Sequence, residues 1–223
     1  MNATVKDVMT THVIAVRKGA SFKEMAARLR EQRVSAFPVL DEDNKVIGVV
    51  SEADLLAKEA MEYAGHHPGG ILHHREQAKA AGTTAADLMS KPPVTIGASE
   101  FVSQAARLMY TRKVKRLPVV DDDGRLVGIV SRSDVLSVYN RPDDDIKHAI
   151  TEGVILDMLL CDPARFTVTV KDGIVTIEGT PETAVVGHDM IEEIRHVEGV
   201  VAVRDRLSYP RDERAVPGPG PLF

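Results

Sequence analysis

The chain has 223 residues, room for one or two domains of roughly 100 to 200 residues and too little for an eight-stranded α/β barrel of about 250 residues with a regulatory module attached. Apolar residues make up 43% and charged residues 27%, a balance that supports a sizeable core, while aromatics reach only 4% and tryptophan is absent, which disfavours nucleic-acid binding by base stacking. The net charge of −5 is unevenly spread: Lys plus Arg number 8 against 6 Asp plus Glu over residues 85–139, and 7 against 14 over 140–210, so the acidic end is a poor partner for anionic lipid or phosphate.

Residues 7–56 repeat at 87–136 with a constant offset of 80 and no gap, with 13 identities in 50 positions. Asp7 and Met9 fall on Asp87 and Met89, Pro38-Val39 on Pro118-Val119, Gly48 on Gly128, Ser51 on Ser131 and Asp54 on Asp134. Each copy predicts strand, helix, strand, strand, helix. Phe22, Met25, Ala26 and Leu29 form the stripe of a half-buried helix, opened by the capping-box pair Ser21 and Glu24. The second copy keeps the stripe as Val102, Ala105, Ala106 and Met109 but lacks the box. Phe37 to Leu40 and Leu117 to Val120 are apolar runs that end in acidic turns, with Asp43-Asn44 and Asp123-Gly124 supplying the hairpin bend. Val46 to Val50 and Leu126 to Val130 read as strands buried on both faces, and the Ser-x-x-Asp elements 51–54 and 131–134 open the closing helices.

The link over 57–84 places His66, His67, His73 and His74 within nine residues, flanked by Gly and Pro. Four imidazoles could gather a zinc or nickel ion, but no Cys or Asp completes the set, and a connector without metal is expected.

Residues 143–209 predict the order αββαβ. Ile146, Ile150, Val154 and Leu156 to Leu160 mark the first helix, with Asp143 to Asp145 at its N-terminus. Phe166 to Val170 and Val175 to Ile177 alternate around the turn Asp172-Gly173. Thr180 and Pro181 are expected as N-cap and N1 of the second helix, and Val200 to Leu207 form the last strand. Residues 210–223, rich in Pro and Gly, are expected to be a disordered tail. The single cysteine, Cys161, excludes an internal disulfide framework and points to a reducing compartment. With no apolar leader over residues 1–7 and no apolar run approaching 18 residues, a cytoplasmic location is expected.

The doubled pattern of Asp-hydrophobic-Met, hydrophobic-Pro-Val and hydrophobic-Gly-hydrophobic-hydrophobic-Ser-x-x-Asp resembles the CBS motif. The C-terminal run from Val168 to Gly179, with Val197 to Val200, resembles the BON domain. Together they imply an α+β (α/β) fold: CBS motifs at 1–56 and 85–141 packed as a pseudo-symmetric pair, then a BON domain at 143–209. The CBS resemblance implies regulation without catalysis or prosthetic group, by an adenine nucleotide (AMP, ADP or ATP) or S-adenosylmethionine. Asp54 and Asp134 would anchor the ribose, and Ser51 and Ser131 at the helix starts would face phosphate. Main chain beside Ile14-Ala15, Val94-Thr95, Ala36-Phe37-Pro38 and Arg116-Leu117-Pro118 would hold adenine. From spacing alone Ser-x-x-Asp is equally a capping box, and the two roles are compatible.

The second copy carries Lys113, Lys115, Arg116 and Arg132 where the first has Arg33, Ser35, Ala36 and Glu52, so a phosphate-preferring second cleft and a weaker first one are expected. The resemblance further implies a homodimer through the CBS pair and an unidentified protein partner for the BON domain, with no nucleic-acid or membrane partner. The competing expectation is a constitutive protein- or membrane-interaction adaptor with vestigial clefts.

Overall fold

The computed structural model describes residues 3–57 and 82–209, which form two compact units divided between residues 135 and 136. The histidine-containing link and the C-terminal tail lie outside the described residues.

In the first unit the repeat is visible as two matching sheets. The first copy supplies α1 (Val5–Val8), β1 (Val16–Arg17), α2 (Phe22–Gln32), β2 (Ala36–Leu40) and β3 (Val46–Ser51), followed by a helix over 52–57, α3. The second supplies α4 (Ala85–Leu88), β4 (Ile96–Gly97), α5 (Val102–Arg112), β5 (Arg116–Val120), β6 (Leu126–Ser131) and α6 (Arg132–Ser137). Each sheet orders its strands as in the chain, the first pair parallel and the second antiparallel. Pro38 and Pro118 stand in middle strands, where a missing N–H usually breaks the ladder. The short strands β1 and β4 reach only Val39-Leu40 and Val119-Val120, so each proline sits where its sheet is two strands wide.

The packed halves do not coincide with the sequence repeats, because the opening segments cross over. Thr10 exchanges both backbone hydrogen bonds with Ile129 (2.9 Å each), and Ser90 does the same with Val49 (2.8 and 3.2 Å). Further out, Val5 and Lys6 donate to Glu100 and Ala98, while Ala85 and Ala86 donate to Ala20 and Lys18. Ala85, Leu88 and Met89 consequently belong to the core of the first copy, with Met25, Phe37, Val39 and Val50. Gly48 and Gly128 make the crossing possible. A Cβ on either would overlap the side chain of Met89 or Met9, which ties the Asp-hydrophobic-Met element to the strand glycine of the opposite copy.

Local signals account for the ends of these elements. Thr4 and Thr84 each donate through N–H and hydroxyl to Oδ2 of Asp7 and Asp87 (2.6 to 3.0 Å), closing the short helices α1 and α4. Ser21 Oγ accepts from the Glu24 amide (3.2 Å), but the Glu24 carboxylate pairs with Arg28 (3.0 Å) rather than completing a box. In the second copy the other half is present, since Gln104 Oε1 accepts from the Phe101 amide (2.8 Å). The turns use left-handed residues at equivalent places, Asn44 (φ 63°) and Gly124 (φ 79°). Strands β3 and β6 are not buried on both faces: Gly48, Val50, Gly128 and Val130 are buried, whereas Val46, Ile47 and Val49 are half-buried and Val127 is exposed. The buried positions alternate with less buried ones, so one face of each strand meets the core.

The second unit has the order αββαβ. Helix α7 (Asp143–His148) continues as a π-helical stretch, Ala149–Met158, whose Ile150, Val154 and Ile155 are buried with Ile146. Strands β7 (Phe166–Lys171) and β8 (Ile174–Gly179) form an antiparallel hairpin, and β9 (Ala202–Leu207) lies parallel to β8 after helix α8 (Ala184–Arg195). Val168, Val175, Ile177 and Leu207 meet Met190, Ile191, Ile194 and the first-helix isoleucines in one core. At the hairpin turn Asp172 and Gly173 both take positive φ (52° and 72°), and Asp143 accepts from both amides at 2.8 Å. The expected N-cap differs. Thr183, not Thr180, caps α8 by accepting from Val186 N (3.2 Å), and Pro181 is buried against Gly187 instead of opening the helix.

Candidate functional site

A cleft of about 460 Å³ opens in the first unit, within the roughly 300 to 1,000 Å³ of small-molecule sites. One wall is the turn from β3 into α3. Ser51 ends the strand, and its amide and hydroxyl donate to Asp54 Oδ2 (2.9 and 2.6 Å), which fixes the carboxylate at the helix start. The crossing segment of the second copy forms the floor: Ser90, held on Val49, directs its hydroxyl to Asp54 Oδ1 at 3.4 Å, and Pro92, Pro93 and Val94 follow. Lys113 to Arg116, at the junction of α5 and β5, complete the lining. Lys113 ends α5 in the left-handed conformation (φ 55°), and the Lys115 carbonyl accepts from the Arg132 amide (3.1 Å), which pins this stretch to the start of α6.

Arg116 is the most constrained cation of the cleft. Its Nη2 donates to Ser35 Oγ at 2.6 Å. Burial pulls the guanidinium below its ordinary pKa, while the charges of Glu52 and Asp134 push it back up. The lining thus combines two carboxylates, Glu52 and Asp54, with three cations, Lys113, Lys115 and Arg116, around an otherwise largely apolar surface. Such a site can accept hydrogen bonds from vicinal hydroxyls at a fixed carboxylate and offer positive charge to an anionic group.

Of the residues singled out in the sequence, the fold brings Ser51, Asp54, Ala36, Val94, Lys115 and Arg116 to this cleft. Ile14, Ala15, Phe37, Pro38, Leu117, Pro118, Ser131, Arg132 and Asp134 lie outside its lining. Phe37, Pro38, Leu117 and Pro118 are buried in the sheets, so only their main chain could reach a ligand. Thr95 lines a separate shallow cavity with Glu100, Gln104 and Arg107 beside α5. The Ser131 and Asp134 element mirrors the first, with Ser131 N and Oγ each 2.7 Å from Asp134 Oδ2. In both Ser-x-x-Asp elements the serine amide and hydroxyl therefore hold the carboxylate in position.

The expected split into a basic second cleft and an acidic first one is not the observed arrangement. Lys113, Lys115 and Arg116 face the same cavity as Glu52 and Asp54, because the ends of β2 and β5 meet, as the bond between Arg116 and Ser35 shows. Ser90, Pro92 and Pro93 were not singled out, and all three arrive on the crossing segment. Among the described residues no three His, Cys, Asp or Glu side chains are grouped to hold a metal, and His66, His67, His73 and His74 lie outside those residues. No helix among them is long and apolar enough to cross a membrane.

The CBS domain family model matches residues 5–60 and 85–141, just over half of the chain. The chloroplastic CBS domain-containing protein CBSX1 of Arabidopsis thaliana is 33% identical over 149 residues, which cover 60% of this chain and 62% of that protein. An uncharacterized protein of Methanopyrus kandleri, MK0525, is 30% identical over 137 residues, 61% of this chain and 63% of the relative. The chain thus spans somewhat over three-fifths of the length of these relatives. Among solved structures, CBSX2 in complex with AMP is 34% identical with a TM-score of 0.50, covering 60% of this chain and 93% of that one. The CBS domain pair of MJ0100 shares the fold at 24% identity and a TM-score of 0.51, over 61% of this chain and 99% of that one. The αββαβ unit lies beyond the matched residues. With its two copies crossing at Ser90 and Thr10 and its paired Ser-x-x-Asp elements, the chain belongs to the CBS-domain family.

Proposed function

We propose that the chain is a regulatory protein that binds an adenosine-containing ligand in its CBS pair and passes its state to a partner through the C-terminal unit. The observation that carries this reading is the cleft whose lining Asp54, held by Ser51, shares with Lys113, Lys115 and Arg116. The carboxylate suits the two hydroxyls of a ribose, each hydrogen bond to the charged group contributing roughly 1.5 to 3 kcal/mol, and the cations suit a phosphate. The AMP complex of CBSX2, a relative at 34% identity, supports AMP as the first ligand to test; ADP, ATP and S-adenosylmethionine are the further candidates. Asp134, mirrored by the repeat, would anchor a second ligand beside Ser131 and Arg132.

Residues 143–209 are read as a BON domain, supported by the αββαβ order and by the Asp172-Gly173 turn between alternating strands. That unit would present the surface a partner protein recognises, in a cytoplasmic setting. A homodimer through the CBS pair is supported by an apolar groove between α2 and α3 lined by Phe22, Leu29, Leu55 and Leu56, the last 68% exposed. Thermal denaturation with each ligand tests the reading. A ligand at 100 times its dissociation constant stabilises the native state by about 2.7 kcal/mol, so at least one of the four is expected to raise the midpoint by several degrees. No shift from any of them at millimolar concentration would exclude it.

A further inference from the structure

We propose that the outer face of the C-terminal sheet is a docking surface for an acidic segment of a partner protein, held by Lys171, Arg204 and Arg206. The inference rests on the partner role proposed above for this unit and gives that role a place and a chemistry. Strand register fixes which side chains share the face. Val168, Val175, Ile177 and Leu207 are buried in the core, so the residues that alternate with them point to the other side of the sheet. Arg204 is in register with Thr176, and Thr176 with Thr169, while Arg206 is in register with Glu178 and Lys171 with Ile174. All three cations are exposed. Arg206 pairs with Glu178 at 3.0 Å, whereas Lys171 and Arg204 have no ion-pair or hydrogen-bond partner among the described residues.

The charge of the unit is segregated. This one face holds three of the seven Lys and Arg of residues 140–210 and only one of their 14 Asp and Glu. Asp205, between the two arginines in sequence, is turned away from them and accepts from the Leu207 amide (2.8 Å) and the Tyr209 hydroxyl. Alternate residues of a strand lie about 7 Å apart, so Arg204 and Arg206 match alternate carboxylates of an extended acidic segment, and Lys171 and the hydroxyl of Thr169 add donors across the sheet. A membrane fits the face less well. Its rows carry no aromatic side chain and Ile174 is their one large apolar residue, which leaves little to insert among lipids. The 13 carboxylates elsewhere in the unit repel an extended polyanion such as a bilayer or a nucleic acid, whereas a short segment meets only the cations within a screening length.

Fluorescence anisotropy of a labelled ten-residue polyglutamate peptide, titrated with the full chain, tests this. The wild type is expected to bind it saturably and more weakly as salt is raised. Lys171→Glu combined with Arg204→Glu is expected to weaken binding at least about 10-fold, since each reversal turns an attraction into a repulsion. Lys147→Glu combined with Arg195→Glu makes the same change of net charge at exposed positions on the helices of the unit, and is expected to change binding less than about 2-fold. Lys171→Arg combined with Arg204→Lys is expected to retain it. No binding by the wild type, equal weakening by both reversed pairs, or weakening by neither, as for a peptide held at Lys113 and Lys115, would overturn the face as the docking surface and leave the nucleotide reading intact. Tighter binding to phosphatidylserine vesicles than to the peptide, lost on reversing Lys171 and Arg204, would overturn the partner role itself in favour of lipid. Salt-sensitive self-association lost in the same variant would overturn the proposal in favour of a second copy of the chain.

Discussion

Met89 of the second repeat packs so closely on Gly48 of the first that no Cβ fits between them, and Met9 stands on Gly128 in the same way. These contacts lock two copies that are separate in sequence into one folded unit. Gly48→Ala forces the Met89 side chain or its backbone to move, and overpacking of this kind costs about 1 to 3 kcal/mol. Urea denaturation is expected to show that loss, with a smaller one when Met89→Ala is added to make room. Additive losses in the double variant would contradict the contact.

Acid stability is expected to depend on Asp7 and Asp87. Hydrogen bonds from Thr4 to Asp7, and from Thr84 and Thr83 to Asp87, hold both carboxyls below the ordinary value of 3.8. A carboxyl with a lowered folded pKa contributes stability that is present above 3.8 and is lost as pH falls through the folded value. Asp7→Asn and Asp87→Asn are therefore expected to lower the urea midpoint at pH 7, with the difference from wild type closing as pH falls through the lowered folded values. A difference that stays constant down to pH 2 would contradict the assignment.

At the other end of the scale, burial and the hydrogen bond to Asp205 push the Tyr209 phenol up to about 12. A raised folded pKa contributes stability that is full below the unfolded value of about 10 and disappears as pH rises through 12. Tyr209→Phe is expected to remove the part of the alkaline loss that falls between those values. Ultraviolet titration of the phenols is expected to show one group ionising near pH 12 in the wild type only.

Asp143 fastens the Asp172-Gly173 turn with two bonds of 2.8 Å. Asp143→Ala is expected to cost roughly 1.5 to 3 kcal/mol, the range for hydrogen bonds to a charged group, and to speed amide exchange at Asp172 and Gly173. Unchanged exchange at both amides would show that the turn holds without the clasp.

Much of the fold was legible in the sequence, since identities at an offset of 80 place matching strands and turns, and Asp172-Gly173 marks its hairpin. The crossover was not, because exchanging equivalent segments between two copies leaves the self-alignment unchanged. For the same reason Asp54, Ser51 and Arg116 could be named as site residues, while Ser90 and Pro92-Pro93 could not. The cap of α8 was misplaced at Thr180 because a buried proline and an N1 proline look alike in sequence. Apolar spacing likewise did not separate α-helical from π-helical turns over Ala149–Met158.

The most direct measurement of the ligand reading is isothermal titration of AMP into the wild-type chain and into Asp54→Ala combined with Asp134→Ala. The account expects saturable heat from the wild type and none from the double variant, with both proteins folded by circular dichroism. Equal heats from the two proteins, or none from the wild type at millimolar AMP, would contradict it.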